Sequence, residues 1–199
     1  MRLFALLAVV TAPAFADEPA NKFENLFPLA VGNSWTYRVS GQEDRFVVRV
    51  ARQEMVGEQT CFRLDASLKD RVVASEHLAF TKEGLCRFRV DKEDVVPPVC
   101  VLKQQTPKNG RWRSQPFQVG GRTATGVFTV NNTEVTVPLR KERFKAVTVD
   151  ATVTEGARPV TRTIVSYADG VGIIKQEIIS GKTPFVLELE KFEKEEKEE

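Results

Sequence analysis

Histidine is the scarcest chemical resource in this sequence: His77 is the single one in 199 residues. That scarcity excludes most zinc sites, which draw on several imidazoles or closely spaced thiols. It also leaves any Ser-His-Asp or Cys-His arrangement one base to use. Cys61, Cys86 and Cys100 show no C-x-x-C spacing, so they are not read as metal ligands. Also missing are G-x-S-x-G, H-E-x-x-H, G-x-G-x-x-G and a phosphate-binding glycine loop. Gly120-Gly121 and Gly170-Val171-Gly172 lack the following helix that cradles a phosphate, and they read as bends in strands. Glu83, Asp91, Glu93, Asp94, Asp150 and Asp169 supply carboxylates, but nothing marks a facing pair of the kind glycosidases need. The chain is therefore expected to be no enzyme, and to carry no cofactor and no metal.

Long apolar runs are equally scarce. The one present, Leu3–Val10, follows the basic start Met1-Arg2 and precedes Ala14-Phe15-Ala16. That order is the signature of a secretory leader cleaved near Ala16. The run is too short to cross a bilayer, which takes about 20 residues. No transmembrane segment is expected in the mature chain, and its location is expected to be secreted or periplasmic. No cysteine stands at the cleavage site to accept a lipid. The expected organisation is a leader at 1–16, a polar lead-in at 17–25, one β domain at 26–192 and a charged tail at 193–199. The stretch Glu188–Glu199 holds seven acids and three lysines, which leaves the remainder mildly basic. Its Lys and Arg residues are spread along strands rather than clustered among aromatics, so nucleic acid is not an expected partner.

Helical spacing is missing too, apart from a turn expected near Asn21–Leu26. A period of two recurs instead. Phe62, Leu64, Ala66 and Leu68 alternate with Arg63, Asp65 and Ser67. Cys86, Phe88 and Val90 alternate with Arg87 and Arg89, and Val147, Val149, Ala151 and Val153 with Thr148, Asp150 and Thr152. Alternation of this kind gives one buried and one wet face, as in antiparallel sheets. Turn residues such as Gly41, Gly57, Lys69-Asp70, Gly120-Gly121, Asn131-Asn132 and Gly156 separate the runs at hairpin spacing. Asn131-Asn132-Thr133 also fits a glycosylation acceptor, but a hairpin turn is the expected role. The predicted fold is all-β: a curved antiparallel meander, half-open or closed into a barrel of about ten strands.

Three cysteines are an odd number, so an oxidising compartment leaves one unpaired. Spacing does not fix the bridge. Cys86 and Cys100, in neighbouring strand-like runs, are the favoured pair, with Cys61 buried as a small apolar residue. His77 faces away from Leu78 and Phe80 and is expected to be exposed. Thirteen Phe against two Tyr and two Trp is a core-like inventory. Phe62, Phe80, Phe88, Trp112 and Phe128 are the candidate apolar lining of a concave face.

Phe27-Pro28-Leu29-x-x-Gly32-Asn33-x-Trp35-x-Tyr37 resembles the opening of a group of secreted bacterial proteins without assigned activity. That group pairs such a start with a late segment like Tyr167-Ala168-Asp169-Gly170-Val171-Gly172-Ile173-Ile174-Lys175, and Pro107–Trp112 resembles its middle turn. Its architecture is similar to the half-open barrel of periplasmic lipoprotein carriers. The resemblance implies a curved sheet able to hold an acyl chain, and hence a non-enzymatic extracytoplasmic binding module for an apolar or lipid-like ligand. The alternative is a cell-envelope interaction protein with a filled core, meeting a protein partner through its sheet edges and acidic tail.

Overall fold

The computed structural model describes residues 23–105, 110–137, 142–156, 158–181 and 184–195. The leader, the start of the lead-in, Pro107–Asn109, Leu139 and residues 196–199 of the tail lie outside them. A single 3₁₀ turn, Glu24–Leu26, precedes an otherwise all-β chain. The strands are β1 (Ser34–Val39), β2 (Arg45–Val56), β3 (Gln59–Leu68), β4 (Arg71–Thr81), β5 (Gly84–Val90), β6 (Glu93–Lys103) and β7 (Arg111–Arg113). They continue with β8 (Phe117–Val119), β9 (Arg122–Val137), β10 (Glu142–Glu155), β11 (Arg158–Ala168), β12 (Gly172–Ile179) and β13 (Phe185–Glu193).

All pairings are antiparallel. From β1 to β6 and from β8 to β13 each strand pairs with its neighbour, and β1–β13 closes the ring. Twelve strands therefore form a barrel, while β7 lies beside β8 on the same edge of β9. This is the antiparallel barrel that alternation predicts, with more strands than the expected ten. β7 and β8 are three residues each, too short to show a period of their own.

Inward positions are apolar: Trp35, Tyr37, Val50, Leu64, Leu78 and Leu189 are all buried. Outward positions carry charge in cross-strand and neighbouring pairs such as Arg63–Asp65, Arg89–Asp94 and Arg162–Asp150. An apolar lumen under a charged outer wall is the reverse of a barrel built to sit in lipid.

Three local expectations are corrected. Asn131-Asn132 is no turn: β9 runs straight through it, pairing Asn131 with Thr148 and Asn132 with Val147. The exposed polar stretch there is an outer strand surface, and the actual reversal into β10 comes after Val137. In β5 the register shifts between Arg87 and Arg89, so the period breaks. Arg87 turns inward with Leu85 and Val90, while Cys86 and Phe88 turn outward. Finally, His77 does face away from Leu78, yet it is only 1% exposed. Its ring is covered on the outer wall by the side chains of adjoining strands.

The first and last of the segments that carry the resemblance meet in the barrel. The Trp35 indole N–H donates to the Val171 carbonyl at 2.6 Å, and the Tyr37 hydroxyl donates to the Ile173 carbonyl at 3.0 Å. Phe27 lies 5.0 Å from the Trp35 ring and 6.1 Å from Tyr167. Gly172, at φ +98°, is needed for two reasons. An L side chain rarely adopts that backbone, and a Cβ there would meet Phe27 and Trp35 at 2.9 Å. Asn33 ties in both chain ends, donating to the Pro28 carbonyl at 2.8 Å and accepting from the Glu195 amide at 2.9 Å.

Candidate functional site: the barrel lumen

About eight strands make a barrel that side chains just fill, and a larger ring leaves room inside. Twelve strands do so here. The segment Phe23–Leu29 and the Trp35 cluster occupy one end, and a cavity of about 290 Å³ remains in the lumen. Its walls are mainly apolar, with Val95, Val99, Phe128, Val149 and Val165 among them. Ligand pockets commonly span about 300–1,000 Å³ with few polar groups in an apolar wall. This one lies just below that range.

The polar groups in it come from opposite walls. Glu76 of β4 and Arg87 of β5 form an ion pair, with Arg87 Nε donating to Glu76 Oε2 at 2.8 Å. Thr163 and Tyr167 of β11 and Gln176 of β12 line the same space. β4 and β11, and likewise β5 and β12, stand diametrically opposite in the ring order. Burial raises the Tyr167 phenol well above its ordinary value; Glu76 pushes the same way and Arg87 opposes it. The two walls thus feel one another across the lumen, and Tyr167 keeps its hydroxyl proton.

The five candidate lining residues are not brought together. Phe128 lines the lumen. Phe62 and Phe80 border an open groove beside Pro28, Leu29 and Ala30. Phe88 lies outside, against Val56, Cys61 and Ala79. It shares a second groove, of about 440 Å³, with Trp112, Pro97 and Pro98. Trp112 stacks on Phe128 with ring centroids 5.0 Å apart, and its indole N–H reaches the Cys100 carbonyl at 3.4 Å. Val99 lines both this groove and the lumen. β6 and β8 share only the pair Val96–Gln118, so the wall is thinnest here.

Cys86 and Cys100 are bridged across β5 and β6, and Cys61 is free and buried. Burial pushes the Cys61 thiol up to about 11, which leaves it protonated and a weak nucleophile at neutral pH. Among the described residues, no three His, Cys, Asp or Glu side chains are grouped to hold a metal ion. No described helix is long and apolar enough to cross a membrane.

On the outer wall His77 Nε2 pairs with Glu54, while Nδ1 has no partner among the described residues. The hydrogen bond from His77 is the main reason the Glu54 carboxyl is held below its ordinary value. A carboxyl depressed in the folded state stabilises above its unfolded value, about 4.3. That contribution is lost as pH falls through the folded value. Glu54→Gln keeps an acceptor without the titration. The variant should therefore lose less thermal stability than the parent between about pH 5 and pH 3, read as melting temperature against pH. Equal acid sensitivity would remove Glu54 from the account.

No family model matches the chain, and no curated protein matches it. Among solved structures, the chain is similar to two at low identity. One is described as a "putative lipoprotein" from Parabacteroides distasonis: 9% identity, TM-score 0.40, covering 84% of this chain and 98% of that one. The other is a "putative exported protein with YmcC-like fold" from Bacteroides fragilis: 13% identity, TM-score 0.42, with the same coverage.

Proposed function

We propose that this chain is a non-enzymatic, extracytoplasmic binding module that holds one small, largely apolar molecule in the lumen of its barrel. The observation that carries the reading is the unfilled apolar cavity of about 290 Å³ between β4–β6 and β10–β12. An apolar space that side chains do not fill forfeits contacts that close packing would supply. A guest restores them. The Leu3–Val10 leader and the Cys86–Cys100 bridge both favour a compartment outside the cytoplasm. The thin seam at Val99, Trp112 and Phe128 offers a way in from the outer groove. The alternative, an interaction protein using sheet edges, has less to stand on, because ring closure pairs those edges away.

The test is uptake of N-phenyl-1-naphthylamine, an uncharged apolar fluorophore, by the mature, delipidated protein. Saturable one-site enhancement, reversed by decanol, is the expected result. Ala151 lines the cavity. Ala151→Phe should place a ring in that space and weaken uptake by about tenfold or more, equivalent to about 1.4 kcal/mol. The β-sheet circular dichroism and melting temperature of the variant should stay near those of the parent. Absence of saturable uptake by the parent protein would end the proposal.

A further inference from the structure

The lumen is not uniformly greasy, and its polar patch says what kind of molecule belongs there. Resting on the lumen-binding reading above, we infer that the guest is an uncharged amphiphile. Its apolar body packs against Val149 and Phe128, and its head, carrying both a hydrogen-bond donor and an acceptor, meets the Glu76–Arg87 pair and Gln176.

The Arg87 and Glu76 side chains border the cavity while remaining 40% and 30% exposed, so water reaches the pair and the head of a guest can take that water's place. Neither Glu76 nor Arg87 is needed to satisfy a neighbour's backbone. Among the described residues, Glu76 is the one hydrogen-bond and ion-pair partner of Arg87, and the contact uses Glu76 Oε2 alone. Arg87 carries five N–H donors and Glu76 a second oxygen. The site therefore offers spare donors beside a spare acceptor. From the far wall, Thr163, Tyr167 and Gln176 add groups whose side chains make no hydrogen bond within the described protein. Gln176 supplies one donor pair and one acceptor.

Charge decides between head types. Glu76 and Arg87 already cancel. An anionic or cationic head would bring an uncompensated charge against a wall of Val, Leu and Phe and give up part of its hydration there. A neutral head that accepts from Arg87 and donates to Glu76 leaves the balance intact. Amides and alcohols on a short hydrocarbon body have that chemistry, and the volume of about 290 Å³ limits the body to a small one.

The experiment is displacement of N-phenyl-1-naphthylamine from the mature protein by octanamide, octanoate and octylammonium, which share one chain and differ in head. Octanamide is expected to bind about tenfold or more tightly than either ion. In Glu76→Gln, Arg87 stands uncompensated, so octanoate should overtake octanamide. Circular dichroism establishes that the variant is folded. If it is not, Gln176→Leu replaces it and should weaken octanamide about fivefold or more, with octanoate and octylammonium unchanged. Equal displacement by all three heads, or preference for an ion in the parent protein, overturns the head assignment while the lumen reading stands. Failure of the fluorophore to bind at all removes both.

Discussion

Replacing Trp35 by alanine is expected to lower folding stability by about 3–5 kcal/mol, the range for deleting a buried aromatic ring. Trp35 is fully buried. It is held on two sides by rings, Phe27 at 5.0 Å and Phe192 at 5.2 Å. Truncation opens a cavity there and orphans the Val171 carbonyl that the indole N–H reaches at 2.6 Å. That carbonyl is only partly buried, so loss of its donor adds at most about 1–3 kcal/mol. Trp35→Phe keeps most of the ring volume and loses the hydrogen bond, so it should fall between parent and alanine variant. Single domains are stable by only about 5–15 kcal/mol, so the alanine variant should unfold at a clearly lower denaturant concentration. Urea midpoints at constant slope are the measurement. A loss below about 1 kcal/mol would mean the cluster is peripheral to barrel stability.

The second large effect is expected from the disulfide. Cys86 and Cys100 are separated by 14 positions, and closing a loop of about 15 residues stabilises by about 3 kcal/mol through restriction of the unfolded chain. The double variant Cys86→Ala, Cys100→Ala should show a loss of that order, as should the reduced parent protein. The bridge spans β5 and β6 beside the thin seam, where β6 and β8 share a single pair. Its removal should therefore also loosen the wall next to Trp112, seen as increased quenching of the Trp112 fluorescence in a Trp35→Phe background. An unchanged urea midpoint would mean that hairpin pairing alone already orders this loop.

Much of this barrel can be read from the chain. Period-two alternation in Phe62–Leu68 and Val147–Val153 marks β3 and β10 and their inward faces. Lys69-Asp70, Gly57 and Gly156 stand at real reversals. What could not be read has two physical causes. Closure depends on β1 finding β13, a contact between chain ends that no local pattern encodes. Register shifts also reverse parity without changing composition. In β5 the extra residue at Phe88 sends Arg87 into the lumen and Phe88 out of it, so a period of two put the wrong one inside. Glu76 was more accessible: it falls in step with Ala74, Leu78 and Phe80 on an inward face, and a carboxylate in that series is a signal for a polar group in the lumen. Phe62, Phe80, Phe88, Trp112 and Phe128 are all aromatics on strands, but a strand has two faces and a barrel two ends, and hydrophobicity alone does not say which.

The pairing of β1 with β13 also governs when the protein can exist as a folded object. β1 begins at Ser34 and waits for Phe185–Glu193 to complete its second edge. Until the last strand arrives, β1 and β12 are open edges and the lumen has no wall on that side. Long-range pairing of this kind is slow, because the ends must meet before the contacts repay the lost chain entropy. The other pairings of the ring join strands close in sequence, so hairpins such as β2–β3 and β9–β10 can form first, and a chain that lacks β13 would hold those hairpins without an enclosed lumen.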